Sequence, residues 1–313
     1  MSKRDKAQHL LPAGLETLLN DYRNHCRRNG LRESSINLCT KVDRWFLLSL
    51  SVNGCTTAGH INAGQVTAAC LSLQSNYYLS TVKTFLRFLA AEGYTDRDYS
   101  YIVPPYKRPQ PMPSVYSTEE IHSVEIAARG FSCRDHAILL LATRLGIRSG
   151  DIATLSLRMI DFEANVIRLT QQKTEYLVEL ALLPEVKAAL LKYINNERPR
   201  CNSHYVFLNQ NPPHDHITIM LIGKIVRRNL KKAGIETDAR KRGPHAFRSS
   251  LASSMVNDNI PYEVVRKTLG HLDPNAIKSY ARLDVEQLRR YALPVPDSTG
   301  GFAELLYGKK VAL

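Results

Sequence analysis

Apolar side chains recur at Leu15, Leu18, Leu19, Tyr22 and Cys26, the spacing of one face of a helix, and Gly30 supplies a stop. Ser34 and Ser35 offer caps for a second helix that runs through Trp45, Phe46 and Leu47, and a third covers residues 63–73. A fourth carries Leu79, Val82, Phe85, Leu86 and Leu89 and ends near Gly93. Four helices of this length predict a small bundle over residues 1–103. Pro104, Pro105, Pro109, Pro111 and Pro113 then crowd around Lys107 and Arg108. Proline this dense cannot continue a helix, so residues 104–116 are expected to form an extended linker. Ser117 and Glu120, in the S-x-x-E spacing of a capping box, mark the next helix start.

Past the linker the pattern is mixed. Ala137 to Arg144 predicts a buried helix. Over residues 158–183 the period shortens: Ile160 and Phe162, then Val166, Ile167 and Leu169, then Val178, Leu180 and Leu182. Short β-rich runs split by Glu163–Asn165 and by Gln171–Tyr176 predict a three-stranded antiparallel sheet. Helices return from Pro184, and the last runs past Tyr280 to Arg290. Pro294, Pro296, Gly300 and Gly301 then break the chain before a short apolar segment with Phe302, Leu305, Leu306 and Tyr307. The expected fold is mainly α with a small antiparallel β-sheet, without internal repeats.

Composition narrows the function. At 313 residues, 44% hydrophobic and 23% charged, the chain has the size of two domains, possessing the composition of a soluble globular protein. Its longest apolar run, residues 137–142, is far short of the roughly 20 residues of a bilayer span. Lys3, Arg4, Asp5 and Lys6 open the chain with no apolar segment behind them, so no secretory signal and a cytoplasmic location are expected. The net charge is +13, with +6 over residues 1–110 and +7 over the remainder. Both halves being basic fits a polyanion held between them, nucleic acid first, though charge alone leaves open a basic protein without such a ligand. The six cysteines, at 26, 39, 55, 70, 133 and 201, form no C-x-x-C pair, so reduced structural thiols are expected rather than a zinc ribbon.

Four stretches carry candidate chemistry. Gly146-Ile147-Arg148-Ser149-Gly150-Asp151-Ile152 puts Arg148 just before a helix start, with Leu155 a turn on. Lys173 falls in the loop between two predicted strands. In Gly243-Pro244-His245-Ala246-Phe247-Arg248, Pro244 suits a first helical turn, and His245 and Arg248 share a helix face. Leu269-Gly270-His271 is followed nine residues later by Tyr280. Each piece alone is commonplace; their order and spacing are not.

Together these stretches resemble the tyrosine recombinases of the phage-integrase type, over nearly the whole chain. Residues 146–155 follow the family's G-x-R-x-[SG]-E-[LI]-x-x-L box, His245 and Arg248 follow H-x-[LF]-R, and Leu269, Gly270, His271 and Tyr280 follow L-G-H with its tyrosine. Lys173 and Thr174 match the β-hairpin lysine and its threonine. Asp151 stands where the family usually has Glu, and Ser249 where many members have His. The resemblance implies a helical core-binding domain that clamps DNA (1–103), the linker (104–116), and a mixed α/β catalytic domain (117–313) ending in a tail from about residue 291. It implies site-specific recombination through a 3′-phosphotyrosine on Tyr280, with four protomers on two DNA sites joined through a Holliday junction.

The chemistry suits those residues. Attack on a phosphodiester builds negative charge, which two guanidiniums, Arg148 and Arg248, can clamp without ever losing their protons. Tyr280 must lose a proton to attack, and His245 is its base or hydrogen-bond partner. His271 donates to a non-bridging oxygen, and Lys173 gives the leaving 5′-oxygen its proton. The covalent intermediate conserves the phosphodiester bond energy, so neither ATP nor metal is expected, and there is no G-x-x-x-x-G-K-[ST] loop or dense carboxylate cluster. His214-Asp215-His216 is expected to be a solvated loop rather than a metal site. Related alternatives are a type IB topoisomerase-like enzyme, and a DNA-binding regulator without catalysis, against which the complete residue set argues.

Contacts to double-stranded DNA have several candidates. Lys224, Arg227, Arg228 and Lys231 recur along one helix face opposite Ile222, Ile225, Val226 and Leu230, and Arg240, Lys241 and Arg242 precede His245. Phosphate contact is expected of both groups because the candidate chemistry adjoins them. Arg23, Arg27 and Arg28 on the first helix are either a solvated face or a DNA contact. The tail either folds on its own domain or, as the resemblance implies, docks on a neighbouring protomer. Accessory DNA-binding proteins are left open, and no membrane is expected.

Overall fold

The apolar stripe of the first helix lies on the inside of a helical unit. In the computed structural model, which describes residues 10–73, 75–107, 114–130, 132–238 and 240–270, the chain divides into two compact units, Met1–Gln110 and Pro111–Leu313. The first holds α1 (Ala13–Arg28), α2 (Glu33–Val52), α3 (Ala63–Leu71) and α4 (Leu79–Ala91). Leu15, Leu18, Leu19, Tyr22 and Cys26 of α1 are all buried. They share a core with Phe46, Leu47, Val82, Phe85 and Leu89. Tyr22 meets Phe85 edge-on at 5.0 Å, an arrangement that aromatic quadrupoles favour. A bidentate pair, Arg44 to Glu16 at 2.9 Å, joins α2 to α1.

The start of α2 differs from expectation. Arg32, extended at φ −69° and ψ 143°, precedes the helix, and no side chain caps it. The Arg32 carbonyl accepts the N–H groups of Ser35 and Ile36 at 2.9 and 3.0 Å, which starts the helical ladder ahead of both serines. Ser34 and Ser35 therefore lie in the first turn. The third helix ends two residues before expectation, where Ser72 Oγ donates to Ala69 O at 2.8 Å and competes with the ladder.

The second unit holds α5 (Thr118–Arg129), α6 (Cys133–Thr143), α7 (Ser149–Ala153), β1 (Ile160–Asp161), β2 (Val166–Thr170), β3 (Leu177–Ala181), α8 (Pro184–Asn196), α9 (Ile219–Lys232), α10 (Pro244–Asn257) and α11 (Tyr262–Leu269). The Ser117–Glu120 capping box forms in full and opens α5. Ala137 to Thr143 of α6 are buried all round, and α5, α8, α9 and α10 pack about this helix. The three strands form one antiparallel sheet in the order β1-β2-β3. Its register pairs Ile167 with Leu180 and Leu169 with Val178, and all four are buried. The fold is thus mainly helical with a small antiparallel sheet.

All six cysteines are free thiols; they include Cys39, half-buried, and Cys201, exposed. Among the described residues no helix is long and apolar enough to cross a membrane. Pro109, Pro111, Pro113 and Arg108 of the expected linker, the helix expected to carry Tyr280 and the expected tail lie outside the described residues.

Candidate active site

Arg148, Lys173, His245 and Arg248 arrive on three different supports. Arg148 is the residue from which α7 starts, extended at φ −67° and ψ 145°. The reversal between α6 and α7 needs Gly146, whose φ is +59°. A Cβ on Gly146 would lie 3.0 Å from both Leu251 and Leu269, so a larger residue meets strain and crowding together. Lys173 sits exposed in the loop joining β2 to β3. Pro244 occupies the first turn of α10, and His245 and Arg248 follow on it.

The two guanidiniums meet at one turn. Arg248 is only 3% exposed; its Nη1 donates to Gly146 O at 2.7 Å and its Nη2 to Leu269 O. Arg148 donates through Nη2 to Gly270 O at 3.4 Å and through Nη1 to Gln171 Oε1. Residues about 100 apart in sequence are thereby tied to adjacent carbonyls at the end of α11. Gly270 closes that helix in the left-handed region, φ +62° and ψ 48°.

The hairpin loop is docked rather than loose. Gln172 N–H donates to Asp151 Oδ1 at 2.8 Å, and Gln172 Nε2 to Thr154 Oγ1 at 2.8 Å, so α7 holds the loop by its backbone and by a side chain. Asp151, the residue that departs from the family's glutamate, is buried with that contact made. Thr174 Oγ1 donates to Gln171 Oε1 at 2.9 Å, and Gln171 Nε2 to Leu269 O at 3.1 Å. Ser249, the other departure, donates back to the His245 carbonyl at 3.0 Å.

The imidazole of His245 has its pKa lowered, first by partial burial, then by Arg248, Lys241, Arg148 and Lys173. Its exposed edge leaves that desolvation incomplete; the four cations act in the same direction. At neutral pH this histidine is uncharged and can accept a proton. His271 and Tyr280 lie outside the described residues.

Sequence patterning did not single out Gln171. The alternation of Ile167 and Leu169 marks position 171 as inward-facing, and Gln171 is 4% exposed, but its partners are not written in that pattern.

The basic candidates are placed unequally. Lys224, Arg227 and Lys231 are exposed on α9, opposite buried Ile222, Ile225, Val226 and Leu230. Arg227, Lys231 and Arg242 line one cleft of about 380 Å³. Arg228, on the same face, is paired with Asp135, which is buried. Arg240 is bidentate to Glu120 at 2.7 and 2.8 Å and lies 4.6 Å over the Tyr116 ring, which fixes it to α5 and its approach. Lys241 is exposed, while its carbonyl accepts Tyr116 OH at 2.8 Å. Arg242 pairs with Asp238 at 3.3 Å. In the first unit Arg27 pairs with Glu33 at 2.6 Å, Arg28 is exposed, and Arg23 is half-buried. His214, Asp215 and His216 lie between α8 and α9; His214 Nδ1 is 3.1 Å from Asn209 O, and His216 packs against Tyr205 at 4.7 Å. Among the described residues no three His, Cys, Asp or Glu side chains gather as a metal site.

The Phage integrase family matches residues 117–287, more than half of the chain. This chain belongs to that family. The relative y4rF of Sinorhizobium fredii (strain NBRC 101917 / NGR234), which carries an integrase/recombinase name, is 35% identical over 226 residues, 69% of this chain and 52% of y4rF. The chain thus spans about half the length of that relative. From the same organism, y4gC, also carrying an integrase/recombinase name, is 32% identical over 189 residues, 59% of this chain and 97% of y4gC. Tyrosine recombinase XerD of Lacticaseibacillus casei is 27% identical over 219 residues, covering 67% of this chain and 72% of XerD. Among solved structures, a lambda integrase (75–356) dimer bound to a COC′ core site superposes with a TM-score of 0.66 at 16% identity, over 85% of this chain and 94% of that one. The XerH site-specific recombinase on palindromic difH superposes with a TM-score of 0.63 at 18% identity, over 81% and 79%. These likenesses establish the integrase-family fold.

Proposed function

We propose that this chain is a site-specific DNA recombinase that cuts and rejoins strands through a 3′-phosphotyrosine on Tyr280. The observation that carries the reading is the convergence of Arg148 and Arg248 on the Leu269 and Gly270 carbonyls, one residue before His271. A turn that gathers two permanent cations is suited to a phosphodiester whose charge grows during attack. Neutral His245 accepts the phenolic proton as the Tyr280 oxygen attacks phosphorus. The bond from phosphorus to the 5′-oxygen breaks, and Lys173 protonates that oxygen. His271 donates to a non-bridging oxygen. Attack by a 5′-hydroxyl on the phosphotyrosine reverses each transfer and seals the strand without ATP or metal.

Duplex DNA is the partner, with the first unit as its clamp and Lys224, Arg227 and Lys231 at phosphates. Four protomers on two sites exchange strands through a Holliday junction, and the C-terminal tail docks on a neighbour. The recombinase names of the relatives favour strand exchange over topoisomerase-like relaxation. With DNA as its substrate, the chain is proposed to work in the cytoplasm. The test uses a nicked duplex carrying the sequence that the purified chain selects from random duplexes. A denaturing gel is expected to show a covalent adduct that Tyr280→Phe abolishes while duplex binding is kept. Adduct formation by the Phe variant would remove Tyr280 from its role.

A further inference from the structure

One side-chain amide touches all three segments of the site. Gln171 Oε1 accepts from Arg148 Nη1 and, at 2.9 Å, from Thr174 Oγ1 beside Lys173. Its Nε2 donates at 3.1 Å to Leu269 O, the carbonyl that also accepts from Arg248 Nη2. Its own backbone closes the hairpin loop: Gln171 N–H donates to Tyr176 O at 2.9 Å, and its carbonyl accepts from Glu175 N–H at 2.8 Å. The amide lies where only glycine leaves room, since a Cβ on Gly270 would fall 2.5 Å from Gln171 Oε1 and 2.6 Å from Nε2. Glycine at 270 thus answers two demands, the left-handed turn and the seat of this amide.

We infer that Gln171 is a positioning residue that sets the guanidinium of Arg148 against the scissile phosphate and keys the Lys173 loop to the turn at Leu269 and Gly270. This deepens the function proposed above and rests on Arg148 being a phosphate clamp. A buried side chain contacting no substrate acts here by orientation, and orientation errors of about 1 Å cost roughly 10²-fold in rate.

A neutral phosphate isolates the effect. A methylphosphonate at the scissile position, mapped first with the wild-type chain, removes one negative charge and with it much of the demand on Arg148. Single-turnover cleavage is compared on phosphate and methylphosphonate for wild type, Arg148→Ala, Gln171→Met and Gln171→Glu. Met keeps the volume and removes the hydrogen bonds; Glu keeps the acceptor and turns the donor facing Leu269 O into a second acceptor. Both Gln171 variants are expected to lose ~10²-fold on phosphate and to stay within ~3-fold of wild type on methylphosphonate, the same pattern expected of Arg148→Ala. Each ratio comes from one preparation, so partial misfolding cancels. Equal losses on the two substrates, no cleavage of either, or wild-type rates on phosphate would overturn the role of Gln171. An Arg148→Ala variant at full rate on phosphate would instead overturn the clamp itself.

Discussion

Partial burial and the cations Arg248, Lys241, Arg148 and Lys173 all press the imidazole of His245 toward its neutral form. A base is competent when unprotonated, so cleavage at subsaturating DNA should hold level through neutral pH. It should fall only as pH drops below the ordinary imidazole value near ~6.5. His245→Gln should remove that acid limb along with most of the rate; a wild-type limb centred above neutrality would contradict the assignment. Asp43, in the core of the first unit, shows the other sign. It is 0% exposed, neither carboxylate oxygen has a hydrogen-bond partner among the described residues, and burial drives its pKa well up. The folded state then holds this proton more tightly than the unfolded chain does, so stability is lost as pH rises above ~4, through the unfolded carboxyl value and up to the folded one. Asp43→Asn removes that loss, and urea unfolding at pH 7 should show it more stable than wild type by at least ~1 kcal/mol. An equal or lower midpoint would mean that the carboxyl has a compensating partner.

Among the elements, α9 divides its cations by what lies beneath them. Lys224, Arg227 and Lys231 stand over an apolar face and remain exposed, whereas Arg228 reaches a buried carboxylate and Arg240, beyond the helix, is clamped to Glu120. Removing a phosphate contact lowers the dependence of log affinity on log salt by about one. Lys224→Ala, Arg227→Ala and Lys231→Ala should each do so, while Arg240→Ala should lower the unfolding midpoint and leave the slope near wild type. Three unchanged slopes would detach this face from DNA. Periodicity made the helices and the hairpin legible, because each buries a face whose spacing is written locally. The buried set of α1 and the Ser117–Glu120 box were readable for that reason. Three features were not. The α2 start depends on where backbone bonds begin, Arg240 on a carboxylate 120 residues away, and Gln171 on a carbonyl 98 residues away. Such long-range pairings leave no periodic trace.

At the scale of the whole molecule, both compact units are basic, +6 over residues 1–110 and +7 over 111–313. A duplex bound as proposed would meet positive charge on each unit. Family membership was legible from the order of Arg148, Lys173, His245, Arg248, His271 and Tyr280, because motif spacing survives where overall identity is low. The contacts that tie Arg148, Arg248 and the loop of Lys173 to the end of α11 became visible only in three dimensions. The most direct measurement is mass spectrometry of the peptide left on DNA after protease digestion of the trapped complex. The account predicts a single linkage, from the 3′-phosphate of the cut strand to Tyr280. A linkage to any other residue, or cleavage that leaves no protein on the strand, would contradict it.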